Sequence, residues 1–367
     1  MALSAVSEKP KKVRIQPFEP ALRDQVFSLH ATVFGARESQ AFRARWRWSQ
    51  VENLFPAQTP KWVLLDRDRV VGFVGTVPQL FRIGGRDVLT HTSSDFMVAP
   101  AYRFHGIQLM RACTEYCENH LSLDNVDATV AVLKFLRFAP VAVMRRYVKV
   151  LDGNFARARV AWGTRVPGIA WQPVNLLLRA RDQLAVPRER CEAVALDDFD
   201  ARFDRYFEKE VARCSAIQVR SCEYLRWRYG PASPHARRRL GVVVDSQNEL
   251  SGYVITFLSG DAERSGYILE LSTKNERNLE VTSALLRFAV RQLRSQGAWT
   301  VRLHQLDTGA SIPASLLRAW NFQRREDTYQ LLARLADPKA MLLAQNTRGW
   351  SMSFGDAEAS HGLLNPI

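Results

Sequence analysis

Apolar positions recur along the chain at two periods. Val13 to Gln16 reads as a first strand. From Glu19 to Phe34, the residues Leu22, Val26, Phe27, His30 and Phe34 fall near one stripe. That spacing predicts a helix, which Gly35 can end. Ser39 to Glu52, around Arg45-Trp46-Arg47-Trp48, predicts a second helix. Lys61–Asp66 and Val70–Phe81 read as strands joined at Asp66-Arg67-Asp68, and Gly84-Gly85 predicts a hairpin turn. The strand from Arg86 continues through Thr92–Val98, with Phe96 and Val98 on one face and Asp95 and Met97 on the other. Pro100 cannot donate to a ladder and should end it. Ile107, Met110, Cys113 and Cys117 then follow at roughly helical spacing. The continuous apolar run Ala128–Leu133 suits a buried strand, Pro140–Tyr147 a short helix, and Val148–Ala158 a closing strand.

This alternation predicts a mixed α/β domain with one central sheet over residues 12–158, after a loose N-terminus at 1–11. Gly163, Pro167, Gly168 and Pro173 punctuate a connection over 159–190. The pattern then recurs over 191–337. Arg226-Trp227-Arg228-Tyr229 echoes Arg45–Trp48, and Gly252-Tyr253-Val254 echoes Gly72-Phe73-Val74. The run Pro313 to Trp320 aligns with Pro140 to Tyr147. Three landmarks in one order predict an internal duplication. Residues 338–367 read as a partly loose tail.

Composition adds limits. The chain has 367 residues, 47% hydrophobic and 24% charged, enough for two ordinary domains with real cores. No apolar run approaches the ~20 residues of a membrane span, and the start lacks the apolar middle of a signal peptide. A soluble, cytoplasmic protein is expected. The net charge of +14 suits an anionic partner, but no RNA-recognition, zinc-finger or helix-turn-helix signature is present. The five cysteines include no CxxC pair, and no His stands at metal spacing beside Cys113 and Cys117. The two are read as core residues, and no metal is expected.

Chemistry concentrates between the strand at Thr92–Val98 and the following helix. Gly106 would let backbone approach a ligand. The amides of a helix's first turn favour anions. Arg103 adds a cation, so Tyr102 to Gln108 reads as a pyrophosphate seat.

This order, with Val98-Ala-Pro-Ala-Tyr-Arg103-Phe-His-Gly106-Ile-Gln108 after the fourth strand, resembles the GNAT superfamily of acyl-CoA N-acyltransferases. The duplication makes the whole chain resemble a tandem GNAT, α/β with two mostly antiparallel central sheets flanked by helices. The Trp-Arg-Trp and Trp-Arg-Tyr elements, with Trp350 and Gly355-Asp356, are similar to GNAT proteins associated with bacterial surface polysaccharides. The family motif [QR]-x-x-G-x-[GA] is matched at Arg103 and Gly106. Gln108 departs from it, either crowding the pyrophosphate or adding an amide donor. The resemblance implies that Arg103, Phe104, His105, Gly106, Ile107 and Gln108 hold acetyl-CoA or another acyl-CoA. Backbone at Met97 and Val98 would pair with its pantetheine. Tyr147 matches the tyrosine that protonates the leaving thiolate, and a packing aromatic is the other reading. Asp95 is the candidate base, on the strand face opposite Phe96, with His91 and His105 as rivals. In the second half Glu276 and Glu280 flank the matching turn and Trp320 replaces Tyr147, which implies a structural or acceptor-shaping domain. The implied activity is acyl transfer to an amine, an amino sugar or sugar nucleotide in the first instance. Acyl-carrier protein or aminoacyl-tRNA as donor is the alternative, and a non-catalytic binding module the third.

Overall fold

The computed structural model describes residues 13–124, 126–160, 171–184, 191–274, 278–308, 311–346 and 349–362. Its elements begin with β1 (Val13–Pro17), α1 (Arg23–Phe34), α2 (Ala36–Gln50), β2 (Trp62–Asp66), β3 (Arg69–Ile83) and β4 (Arg86–Val98). They continue with α3 (Gly106–Tyr116), β5 (His120–Asp124), α4 (Asp127–Phe135), β6 (Ala139–Val150), α5 (Asn154–Arg157) and α6 (Gln172–Leu184). Next come β7 (Val194–Leu196), α7 (Ala201–Val211), β8 (Ala216–Gln218), α8 (Cys222–Tyr229), β9 (Arg239–Val244), β10 (Leu250–Leu258) and β11 (Ser265–Thr273). The last are α9 (Leu279–Ser295), β12 (Thr300–Leu306), α10 (Ala314–Ala319), β13 (Gln323–Arg334), α11 (Pro338–Gln345) and β14 (Trp350–Ser351). The fold is mixed α/β. Two compact units divide it: Met1–Pro78 with Thr90–His120, and Gln79–Leu89 with Leu121–Ile367. The division cuts β3 and β4, the two arms of the hairpin turned by Gly84 and Gly85, both at positive φ.

In the first unit β1, β2 and β3 form an antiparallel meander, set by Val13↔Asp66 and Trp62↔Val74. Helices α1 and α2 lay Val26, Leu29, Phe42 and Trp46 over Val63, Leu65, Val70, Phe73 and Met97. Their rings meet edge to face, with Trp46 5.4 Å from Phe42 and 5.3 Å from Phe27. Strand β4 meets β5 in parallel at His91↔His120.

In the second unit the strands run β13-β6-β12-β11-β10-β9-β7. Only the β11–β12 pair among these is parallel, and the crossover that a parallel pair requires is α9. Asn278 caps α9 by accepting from the Val281 amide, and the helix buries Val281, Leu285, Phe288 and Leu293. Each fully buried Leu or Phe contributes roughly 1.5–3 kcal/mol. Gly241 is required beneath it, because a Cβ there would stand 2.4 Å from the Phe288 ring.

Four expectations are corrected. Ala128–Leu133 lies in α4, which buries Val130 and Leu133 and leaves Phe135 exposed; a six-residue apolar run cannot distinguish strand from helix by period. Pro140–Tyr147 lies in β6, hydrogen-bonded on both sides to β12 and β13. Pro313–Trp320 does contain a helix, α10, so the two Pro-led runs are not equivalents. The segment after Asp337 is not loose among its described residues. Trp350, Phe354 and Asp356 are buried, and β14 pairs with β8.

Candidate active site

Residues 92–108 lie in the first unit and combine strain, charge and exposure. Asp95 sits at φ 55 in β4, a left-handed conformation that Asp tolerates better than most residues. Its carboxylate is 2% exposed, accepts from the Ser94 hydroxyl at 2.8 Å, and is ion-paired with Arg45 from the Trp-Arg-Trp run. The alternation expected of β4 would have turned Asp95 to an open cleft. The left-handed bend instead turns it onto α2, where it holds helix to strand. Met97 points into the core of the unit and is 2% exposed, and Val98 is half-buried.

Beyond β4 the chain enters a 3₁₀ turn, Pro100–His105, anchored by the Ala99 amide on Val71 O at 2.8 Å. The buried Tyr102 hydroxyl donates to Asp66 and accepts from Arg69 at 3.2 Å, which fixes the turn to β2 and β3. Gly106 opens α3 in ordinary helical conformation, and its amide donates to Arg103 O. That amide is therefore spent inside the chain, contrary to the expectation of a free first turn. The glycine is needed for packing: a Cβ would lie 3.2 Å from the Phe96 ring and 3.6 Å from Val98. Arg103, Phe104, Ile107 and Gln108 are exposed, Phe104 by 80%. Arg103 lies over the Phe104 ring at 4.9 Å, and His105 Nδ1 lies 3.2 Å from Gln108 Oε1. Six of the eight residues expected to hold the donor are thus consecutive, with a cation at the edge of a helix start.

Of the rival bases, His91 is buried against Gln58 O at 3.0 Å, and His105 is half-exposed at the turn. Tyr147 belongs to the second unit, in β6, with 8% exposure and a place in that unit's apolar core. It does not lie on a helix after the fifth strand; that helix is α4, which contains no tyrosine.

The second unit holds a cleft that the sequence did not reveal. Strands β11 and β12 pair from Ser265↔Thr300 to Ile268↔Leu303 and then part. Leu269–Thr273 on one strand and His304–Leu306 on the other line the gap, with Glu210, Arg213 and Arg220. Glu270 receives hydrogen bonds from Tyr229 at 2.6 Å and Tyr253 at 2.9 Å. Burial pushes its carboxyl up to about 7. The Arg220 guanidinium, 3.4 Å away, opposes that rise, and Asp356 adds to it. Arg220 also binds Asp356 at 2.5 Å. Ser272 donates to Glu210 and meets the Tyr206 hydroxyl at 2.9 Å. His304 is stacked on Phe354 at 4.1 Å, and burial lowers it to about 3, so it is neutral at physiological pH. Sequence could place Glu270 on a strand, but not show that Tyr229 from α8, Tyr253 from β10 and Arg220 from the approach to α8 converge on it. Glu280 is exposed at the start of α9, and Glu276 lies outside the described residues.

Residues 14–123 match the family model of the acetyltransferase (GNAT) domain. No curated protein matches the chain. Solved structures share the fold. An Enterococcus faecalis protein described as a probable N-acyltransferase is 13% identical, with TM-score 0.59, covering 90% of this chain and 74% of that one. Saccharomyces cerevisiae N-myristoyltransferase, solved with bound myristoyl-CoA and inhibitors, is 12% identical, with TM-score 0.58 and coverage of 94% and 87%. A GCN5-related N-acetyltransferase from Kribbella flavida is 17% identical, with TM-score 0.55 and coverage of 90% and 73%. No helix among the described residues is long and apolar enough to cross a membrane. Residues 14–123 thus match the GNAT acetyltransferase domain, and the fold of the chain is shared with these solved structures.

Proposed function

We propose that the chain is an acyl-CoA-dependent N-acyltransferase with its donor seat at Met97–Gln108. The observation that carries this reading is the run Arg103–Gln108, exposed at Arg103, Phe104, Ile107 and Gln108 and held by Tyr102 at the start of α3 inside the segment that matches the GNAT domain. Arg103 would meet the pyrophosphate, and the start of α3 would supply the favourable end of its dipole. The amine attacks the thioester carbonyl, the carbon–sulfur bond breaks, and CoA leaves as thiolate. Acetyl-CoA is the first donor to test, and myristoyl-CoA the second, given the N-myristoyltransferase likeness. An amino sugar or sugar nucleotide is the first acceptor to test. If a carrier protein or tRNA delivers the acyl group instead, activity should fall steeply with salt.

Tyr147→Phe tests the remaining proton donor. Turnover should fall with donor affinity unchanged if its hydroxyl reprotonates the thiolate; unchanged turnover leaves Tyr147 a core aromatic.

A second reading rests on the β11–β12 cleft. There the second unit binds both acyl donor and amine by itself, and Glu270 takes the proton that the ammonium must lose before attack. A carboxyl near 7 is half ionised at neutral pH, so it can accept a proton and release it again. Since Glu270 works only when ionised, turnover should rise with pH through about 7. Glu270→Gln should remove that limb and lower turnover about 10²–10⁴-fold. A retained limb in a folded Glu270→Gln chain would end the role. The same variant reports on stability. Because the folded carboxyl is raised above its ordinary 4.5, its contribution is present below 4.5 and lost as pH rises through about 7. The variant should lack that loss.

A further inference from the structure

Four buried side chains of the first unit that the proposed reaction does not use converge at the far end of α3. Cys113 is fully buried, Cys117 is 3% exposed and His120 1%. One ligand atom from each lies within 4.8 Å of the others. His91 is 9% exposed, lies directly across the β4–β5 pair from His120, and interacts with Cys117. The sequence hides this set, because His91 comes from β4, 22 positions before Cys113. Cys113 lies in the last turn of α3 and Cys117 is the residue that caps it, its amide donating to Cys113 O. His120 follows at the first position of β5.

We propose that Cys113, Cys117, His120 and His91 form a structural zinc site. Two thiolates and two imidazoles are a donor set for zinc, and not for magnesium or calcium. A tetrahedral site with bonds of about 2.0–2.3 Å places its ligand atoms roughly 3.3–3.8 Å apart. The ligand atoms of Cys113, Cys117 and His120, within 4.8 Å of one another, need only a small contraction to reach that, and His91, its ring centroid 6.1 Å from that of His120, moves in to close the fourth position. The surroundings fit as well. His91 Nε2 lies 3.0 Å from Gln58 O, so Nε2–H donates to that carbonyl and Nδ1 is left for the metal. A ligating histidine fixed by a backbone carbonyl is the usual arrangement. On loading, zinc displaces the two thiol protons to solvent, with no change of oxidation state. Full burial makes the site closed and structural, tying the end of α3 and the start of β5 to β4.

The test uses the full-length chain, free of any histidine tag, loaded with zinc and desalted. Elemental analysis should give about one zinc per chain, and the Cys113→Ser/Cys117→Ser double variant should lose it. Cys214→Ser, in the second unit, should keep it. Because the double variant can fail to fold, the wild-type chain is also loaded with cobalt. Thiolate-to-cobalt charge transfer and the strong visible bands of a tetrahedral centre are expected. Folded wild-type chain that retains no zinc, or cobalt without thiolate bands, would overturn the site. So would a Cys113–Cys117 disulfide that persists after zinc loading, or a zinc content that the double substitution leaves unchanged.

Discussion

Gly106→Glu is expected to abolish CoA binding, while Gly106→Ala keeps it. Both substitutions add a Cβ at 3.2 Å from the Phe96 ring, tight enough that the ring must yield by a few tenths of an ångström. Both should therefore lower stability similarly, by about 1–3 kcal/mol, the usual cost of mild overpacking. Only glutamate adds a carboxylate at the start of α3 beside Arg103. A like charge near a phosphate costs on the order of 1–4 kcal/mol between aqueous and near-surface limits. That is about a fivefold to nearly thousandfold loss of affinity, before the bulk of the side chain is counted. Titration calorimetry on wild type should give one CoA per chain, and on the folded Gly106→Glu variant none. Arg103→Ala should weaken binding less, because an exposed charge contact contributes about 1 kcal/mol. A folded Gly106→Glu chain with wild-type affinity would remove the donor from this turn, and Glu270→Gln would then show whether the β11–β12 cleft is the site.

Asp356→Ala should destabilise the second unit strongly. Asp356 is fully buried and accepts from Arg220 at 2.5 Å, Tyr224 at 3.2 Å, and the Ser353 amide and hydroxyl at 2.8 and 3.0 Å. Its removal leaves the Arg220 guanidinium, 5% exposed, with Glu270 at 3.4 Å as its remaining ion-pair partner among the described residues. Breaking a buried pair from one side costs about 3–5 kcal/mol. At roughly 2–4 °C per kcal/mol, the melting temperature should fall by about 10 °C. The double variant Arg220→Met/Asp356→Leu should recover most of this, since neither charge is then left alone. Asp356 also helps raise the Glu270 carboxyl, so any limb of the pH–rate profile due to Glu270 should move to lower pH. A melting temperature within about 2 °C of wild type would mean that the segment after Asp337 is not integral to the unit.

The sequence by itself determined the elements whose signals are local. The stripe of α1, the positive-φ pair Gly84-Gly85, and Pro100 ending β4 are each decided within a few residues. Helix α2 and the Gly72–Val74 strand were legible for the same reason, as was the exposed turn Arg103–Gln108. Where period was silent, the partners decided. Val-Ala-Val-Met in β6 is a strand because β12 and β13 hydrogen-bond it on both sides, and Ala128–Leu133 is a helix that buries only one face. Asp95 shows the limit of alternation, because one left-handed residue turns its carboxylate onto Arg45, 50 positions away. The convergence of Tyr229, Tyr253 and Arg220 on Glu270, and of His91 on Cys113, Cys117 and His120, depends on strand neighbours that no local spacing encodes. Local backbone preference wrote the elements into the sequence, and only the pairing of distant strands decided which charges and sulfurs meet.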